Sequence, residues 1–305
     1  MRLDDYDNDI DVGEAQSGGG FGGGGGGGGL LFGLLPLIGS RFGCGGIIVV
    51  LIILAVLGMN PLGLLTGGGS NTAPVTRSAG SSGEQNARQV CEVSPERRET
   101  CQAFSNADNT WEKIFAQSGQ RFEAPGLRFF KPDAGSAQSG CGVAQSAVGP
   151  FYCPTDRKIY LDTKFFDELA NRFGAKGDFA RNYVVAHEFG HHIQTLLGTS
   201  EQVHRAQQAA GQAEGNALSV RLELQADCYA GVWAAKNRDR LEPGDVEEGM
   251  TAARAIGDDT LQREATGRVV PDSFTHGTSE QRMRWLRRGM ETGDPAQCDT
   301  FSGAI

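Results

Sequence analysis

The hydrophobic pattern changes character along this chain. An unbroken apolar run from Ile47 to Leu57, lengthened by Gly45-Gly46 and by Gly58 to Leu65, gives about 20 residues without a charge, enough for one transmembrane helix over residues 46–65. A cleaved signal peptide fits poorly, because the run starts after about 40 residues and no A-x-A site follows it. Leu30 to Ile38 is a second apolar patch, too short to span and broken by Pro36. Ahead of these, Asp4, Asp5, Asp7, Asp9 and Asp11 and the glycine run over 18–29 predict a disordered segment over residues 1–45. Residues 66–87 are rich in Gly, Ser and Thr and read as a flexible linker. Residues 88–305 are long enough for one domain with its own core.

Within that domain the period shifts from strand-like to helical. Ala103 to Ala116 carries Phe104, Trp111, Ile114 and Phe115 at helical spacing. Phe129-Phe130 and Val143 to Tyr152 read as extended, and Lys158 to Asp162 alternates polar and apolar after a turn at Pro154 to Asp156. Phe165 to Phe173 reads as a helix. A helix begins near Phe179, with Asp178 as a cap and Gly198 as its stop; others cover Glu214 to Asn237, Pro243 to Ile256 and Glu280 to Met290. The order predicts an α+β fold, a small sheet followed by helices.

The Phe179 helix carries His187-Glu188-Phe189-Gly190-His191. In an H-E-x-x-H helix the two His project from one face and reach one zinc, while the Glu lies beside the open coordination position as a general base. Phe179, Tyr183, Val184, Ala186 and Gly190 share the His side, so the ligands sit on a buried stripe where an imidazole needs an ion or a partner. Gly190 inside a helix points to another backbone or a ligand passing close. His192 faces elsewhere and reads as a hydrogen-bonding residue rather than a ligand. A catalytic zinc takes a third protein ligand, here His204, His276 or a carboxylate. Glu223 and Asp227 lie four apart on the apolar helix after the motif, where a buried carboxylate pair needs a cation. Glu223 is the favoured ligand, with Asp227 holding the far nitrogen of a ligating His.

Net charge is −9 with pI near 5.1, and no basic run or stacking pattern accompanies it, which excludes a nucleic-acid partner. The glycine run lacks the strand–loop–helix setting of a phosphate-binding motif. Of the 7 Cys, all but Cys44 lie beyond the apolar run. Their spacing suggests Cys91–Cys101, Cys141–Cys153 and Cys228–Cys298 as bridges. Arg41 and Arg77 flank the run almost evenly, so the disulfides decide orientation: a single-pass protein of the inner membrane with its domain extracytoplasmic (periplasmic).

The run His187 to Gln194, then Glu223-Leu224-Gln225-Ala226-Asp227, then Ser273 to Gly277, resembles the bacterial family called "putative neutral zinc metallopeptidases". The likeness extends from about Cys101 to Phe301 and takes in Ser139 to Gly142 and Gly149 to Pro154. Glu223-x-x-x-Asp227 and Thr275-His276 are also similar to motifs of the CAAX prenyl and heat-shock membrane metalloproteases. The resemblance implies a zincin-like domain of gluzincin type, with zinc on His187, His191 and Glu223. It implies Glu188 as catalytic base, His276 as donor to the oxyanion, and Arg282 as a recurring Arg or an ion pair. It also implies a peptide or protein substrate, hydrolysed by endopeptidase action, bound along an edge strand, for which 158–162 is the candidate. A non-catalytic zinc-binding module, or a hydrolase of a non-peptide amide, are the alternatives.

Overall fold

The computed structural model describes residues 1–17, 87–131 and 134–305. The expected membrane span over 46–65, the patch at 30–38, Cys44 and nearly all of the linker lie outside them. Among the described residues no helix is long and apolar enough to cross a membrane.

Residues 1–17 depart from the sequence expectation of disorder. They pack into the same compact unit as the domain. Met1, Tyr6, Val12 and Ala15 are buried, and strand β1 (Val12–Glu14) joins the main sheet. The acidic residues that read as solvated instead meet arginines: Asp4 pairs with Arg240, Asp5 with Arg98, Asp11 with Arg128 and Glu14 with the buried Arg97. The partners all lie beyond the linker, 83 or more positions from the acidic residue each one meets, so local composition carried no sign of them.

The elements that follow are α1 (Ala87–Cys91), α2 (Pro95–Gln117), β2 (Gly126–Phe129), β3 (Ser136–Ser139), β4 (Gly142–Gln145), β5 (Phe151–Cys153) and β6 (Lys158–Leu161). Seven helices complete the chain: α3 (Lys164–Asn171), α4 (Asp178–Leu196), α5 (Thr199–Ala209), α6 (Gln212–Lys236), α7 (Asp245–Ala255), α8 (Asp258–Thr266) and α9 (Ser279–Thr292). This is the α+β order expected, a small sheet and then helices.

The main sheet runs β1-β2-β6-β5, with β1, β2 and β6 parallel and β5 antiparallel to β6. Its register places Val12 beside Leu127 and Leu127 beside Ile159, and these side chains with Phe129 and Leu161 enter the helical core. The opposite face carries Phe130, Cys153 and Tyr160 against Ala137 of the β3–β4 hairpin. The expected edge strand over 158–162 is internal: β6 is paired on both sides, and among the described residues β5 is the edge on that flank.

Helix α4 is buried along most of its length. It starts at Asp178, not after it; Gly177 precedes it with φ 110°, and Glu248 of α7 accepts from the Phe179 N–H at 3.1 Å in place of a local cap. Helices α6 and α9 cross at glycines. A Cβ on Gly289 would stand 2.0 Å from the Cys228 carbonyl oxygen, and one on Gly231 2.2 Å from that of Leu286. The three bridges form as their spacing suggested: Cys91–Cys101, Cys141–Cys153 and Cys228–Cys298.

Candidate metal centre

Two helices build the centre. Helix α4 presents His187 and His191 one turn apart, their rings nearly perpendicular with centroids 4.8 Å apart. Helix α6 crosses α4 at Gly190, where a Cβ would lie 3.0 Å from the Ala226 carbonyl oxygen. The backbone approach expected from that glycine is therefore present, and it brings Glu223 over the two imidazoles. Glu223 Oε2 is 3.1 Å from His187 Nε2, and Oε1 is 3.4 Å from His191 Nε2. Tetrahedral ligands about 2.05 Å from a zinc stand about 3.3 Å apart, so these donors already have the spacing of a coordination shell. Two neutral nitrogens and one carboxylate are the donor set of a catalytic zinc that keeps a position open. His187, His191 and Glu223 could thus hold one metal ion.

Charge explains why the cluster suits a cation. Burial would push the Glu223 carboxyl up, yet the His191 charge and hydrogen bonds from both imidazoles hold it well below the usual range. Burial likewise opposes a charged His187, but Asp227, with Glu223, raises it to about 10. A dication at the same place would satisfy the carboxylate without those protons.

Asp227 lies one turn beyond Glu223 and is fully buried. Its Oδ1 accepts from His187 Nδ1 at 2.8 Å and from the Tyr183 hydroxyl at 2.6 Å. Arg282, on α9, grips both oxygens at 2.9 Å and is itself buried. Of the two readings of Arg282, the structure supports the ion pair. With Nδ1 donating to Asp227, His187 turns its Nε2 lone pair to the centre.

Glu188 is buried beside the ligands, and among the described residues its carboxylate makes no hydrogen bond. His276 lies in the loop before α9, its side chain 44% exposed. Asp258, which sequence reasoning missed, organises that loop: it accepts the backbone N–H of Thr275, His276 and Gly277 at 2.7, 2.6 and 3.1 Å, and His276 Nδ1–H at 3.2 Å. Although burial opposes it, the bond to Asp258 and the Glu223 charge raise the His276 pKa. Tyr183 and Gln194 were missed as well: Tyr183 read as an ordinary member of the helical stripe, and Gln194 entered only as the end of the run that carries the family resemblance. His204 is exposed on α5, bonded to Gln208 and apart from the cluster. His192 is buried, donates from Nε2 to the Glu123 carbonyl at 2.7 Å and faces the Tyr152 hydroxyl at 3.1 Å. Burial lowers its pKa to about 4, which leaves Nδ1 to accept from Tyr152.

An H-E-x-x-H helix crossed by a second helix that supplies a Glu is the arrangement of a zinc metallopeptidase site. The family profile described as "Putative neutral zinc metallopeptidase" matches residues 1–301, and the chain belongs to that family. The match includes the docked residues 1–17. The chain is 45% identical over 267 residues to the uncharacterized protein YpfJ of Escherichia coli strain K12, covering 86% of this chain and 88% of that one. It is 45% identical over 213 residues to an uncharacterized protein of Mycobacterium tuberculosis strain H37Rv, covering 66% and 69% respectively. No solved structure matches the chain.

Proposed function

We propose that the protein is a zinc-dependent endopeptidase of gluzincin type. The observation that carries this reading is the spacing of His187 Nε2, His191 Nε2 and Glu223, close to a tetrahedral edge, beside the buried Glu188, whose carboxylate makes no hydrogen bond among the described residues. Zinc bound there would supply a Lewis acid that acidifies water and polarises a carbonyl. Glu188 takes the proton of the attacking water and returns it to the leaving amine. Asp227, held by Arg282, keeps the His187 ring oriented. His276, whose pKa is raised by the bond to Asp258 and whose Nε2 is free of that bond, donates to the developing oxyanion.

The open flank of β5 suits an extended peptide by strand addition. Tyr152 of that strand is tied to His192, the residue after His191, so the edge is anchored to the helix that bears the ligands. The three disulfides support an extracytoplasmic, oxidising location.

Glu188→Gln tests the reading, since it keeps the shape of the side chain and leaves the ligands in place. The full chain should cleave a diverse peptide library, and the variant should lose at least about 10²-fold of that activity while its zinc content stays near wild type. Retained hydrolysis with zinc bound would remove Glu188 as the base. Zinc binding without hydrolysis of any peptide by the wild type would favour the non-catalytic module.

A further inference from the structure

The two candidate His ligands are held differently, and the difference leads away from the centre to the C-terminal segment. His187 donates to a carboxylate, Asp227. His191 faces a neutral amide: its Nδ1 lies 2.8 Å from Gln194 Oε1, one turn along the same helix. Gln194 is fully buried. Its Nε2 donates to the Leu222 carbonyl at 2.6 Å and to Gln225 Oε1 at 3.1 Å. Gln225, also buried, donates from its own Nε2 to the Cys298 carbonyl at 3.0 Å. Cys298 is bridged to Cys228, the residue after Asp227. The Thr300 hydroxyl donates to the Arg221 carbonyl, and the Arg221 guanidinium bonds the Thr300 and Gly303 carbonyls, fixing this segment across α6.

We propose that Gln194 and Gln225 form a one-way hydrogen-bond relay by which the disulfide-fixed Cys298 carbonyl orients His191 for the metal. The direction follows from the chemistry of the ends. A carbonyl oxygen only accepts, so Gln225 turns its NH₂ to Cys298 and its oxygen to Gln194. Gln194 then meets two acceptors, Gln225 Oε1 and the Leu222 carbonyl, so its NH₂ faces them and its oxygen faces His191. The amide cannot flip without opposing oxygen to oxygen at two places, each a buried unpaired group. His191 is thereby required to carry its proton on Nδ1, which leaves the Nε2 lone pair toward the metal. Gln194 and Gln225 are positioning residues: Gln194 bonds the outer nitrogen of His191, Gln225 acts through Gln194, and neither belongs to the donor set of His187, His191 and Glu223. Sequence spacing shows Gln194 three residues after His191 and Gln225 two after Glu223, but the meeting of the two amides and the carbonyl depends on how α4, α6 and the C-terminal segment pack.

This inference rests on the zinc reading, and the test separates the two. The full-length protein and the variants Gln194→Leu, Gln225→Leu and their combination are titrated with Zn²⁺ against a competing chelator, and with Co²⁺ followed by its visible absorption. Gln194→Leu should weaken Zn²⁺ binding by about 10–100-fold and alter the Co²⁺ band. Gln225→Leu should act in the same direction, and the double variant should bind no more weakly than Gln194→Leu, because the groups act in series. Wild-type binding by Gln225→Leu, or additive losses in the double variant, would overturn the relay while leaving the zinc reading intact. A wild type that binds neither ion would overturn both. Should a Leu variant fail to fold, nitrogen NMR of the zinc-loaded wild type decides alone: the relay requires a slowly exchanging proton on His191 Nδ1, and a proton on Nε2 overturns it.

Discussion

His187 has a carboxylate at each ring nitrogen, Asp227 at Nδ1 and Glu223 at Nε2. Burial disfavours its charge, but the two carboxylates outweigh burial and raise its pKa to about 10, against 6.5 unperturbed. A raised pKa means that the proton stabilises the metal-stripped fold fully below about pH 6.5 and that this contribution is lost as pH rises through the folded value. The chelator-treated protein should therefore fall in thermal midpoint between about pH 7 and 10, whereas the zinc-loaded protein, with that proton displaced, should not show the same decline. A scan of unfolding temperature against pH with and without zinc checks this, and parallel profiles would mean that His187 is not held between the two carboxylates. At this scale the centre was legible because H-E-x-x-H and Glu223-x-x-x-Asp227 are each local, one helical turn long. Tyr183, Gln194 and Asp258 were not, because a Tyr or Gln on a helix stripe and an Asp at a helix start have many ordinary roles, and only the packing gives them these.

The elements that carry the centre are spaced by glycine. Gly190 lets α6 approach α4, while Gly231 and Gly289 let α9 approach α6, which puts Arg282 within reach of Asp227. Gly289→Ala would place its Cβ 2.0 Å from the Cys228 carbonyl, a backbone atom that cannot turn aside. It should cost about 3 kcal/mol, the upper part of the overpacking range, and weaken zinc binding by shifting Arg282. Gly215, in the first turns of α6 with nothing near its missing Cβ, is the control: Gly215→Ala should be neutral or stabilise by about 0.5–1 kcal/mol. Chemical denaturation of both variants measures the contrast, and equal effects would show that the α6–α9 contact is not close-packed. Gly190 was read correctly from the sequence because a glycine interrupts a strong apolar helix beside the ligands. Strands β1 and β3 and helices α1, α5 and α8 were not anticipated; β1 lies in an acidic stretch and β3 in a Ser/Gly-rich one, where neither alternation nor β-branched residues mark a strand. The parallel pairing of β1 with β2 joins residues more than a hundred positions apart, a partnership that no window of local sequence contains.

For the whole molecule, the docked residues 1–17 bear on topology. They share a sheet, a core and several ion pairs with residues 87–305, and the two pieces form one compact unit. A single folded body lies on one side of a membrane. A chain that crosses once between residues 17 and 87 would put the tail and the domain on opposite sides, so a single crossing and the docked tail are alternatives that labelling from one side separates. The disulfides favour an oxidising compartment for the domain, and the tail would then share it. The prediction is that Asp9→Cys and Val270→Cys, both at exposed positions and each made in the full chain with Cys44→Ser, react alike with a membrane-impermeant maleimide applied to intact cells from which only the outer barrier has been removed. Labelling of both without lysis is the expected result. Labelling at 270 but at 9 only after lysis would mean that the tail stays behind in the cytoplasm and that β1 is absent from the membrane-bound protein. In that case Val12 and the β2 edge it covers would be open, and the buried Arg97 would lose Glu14.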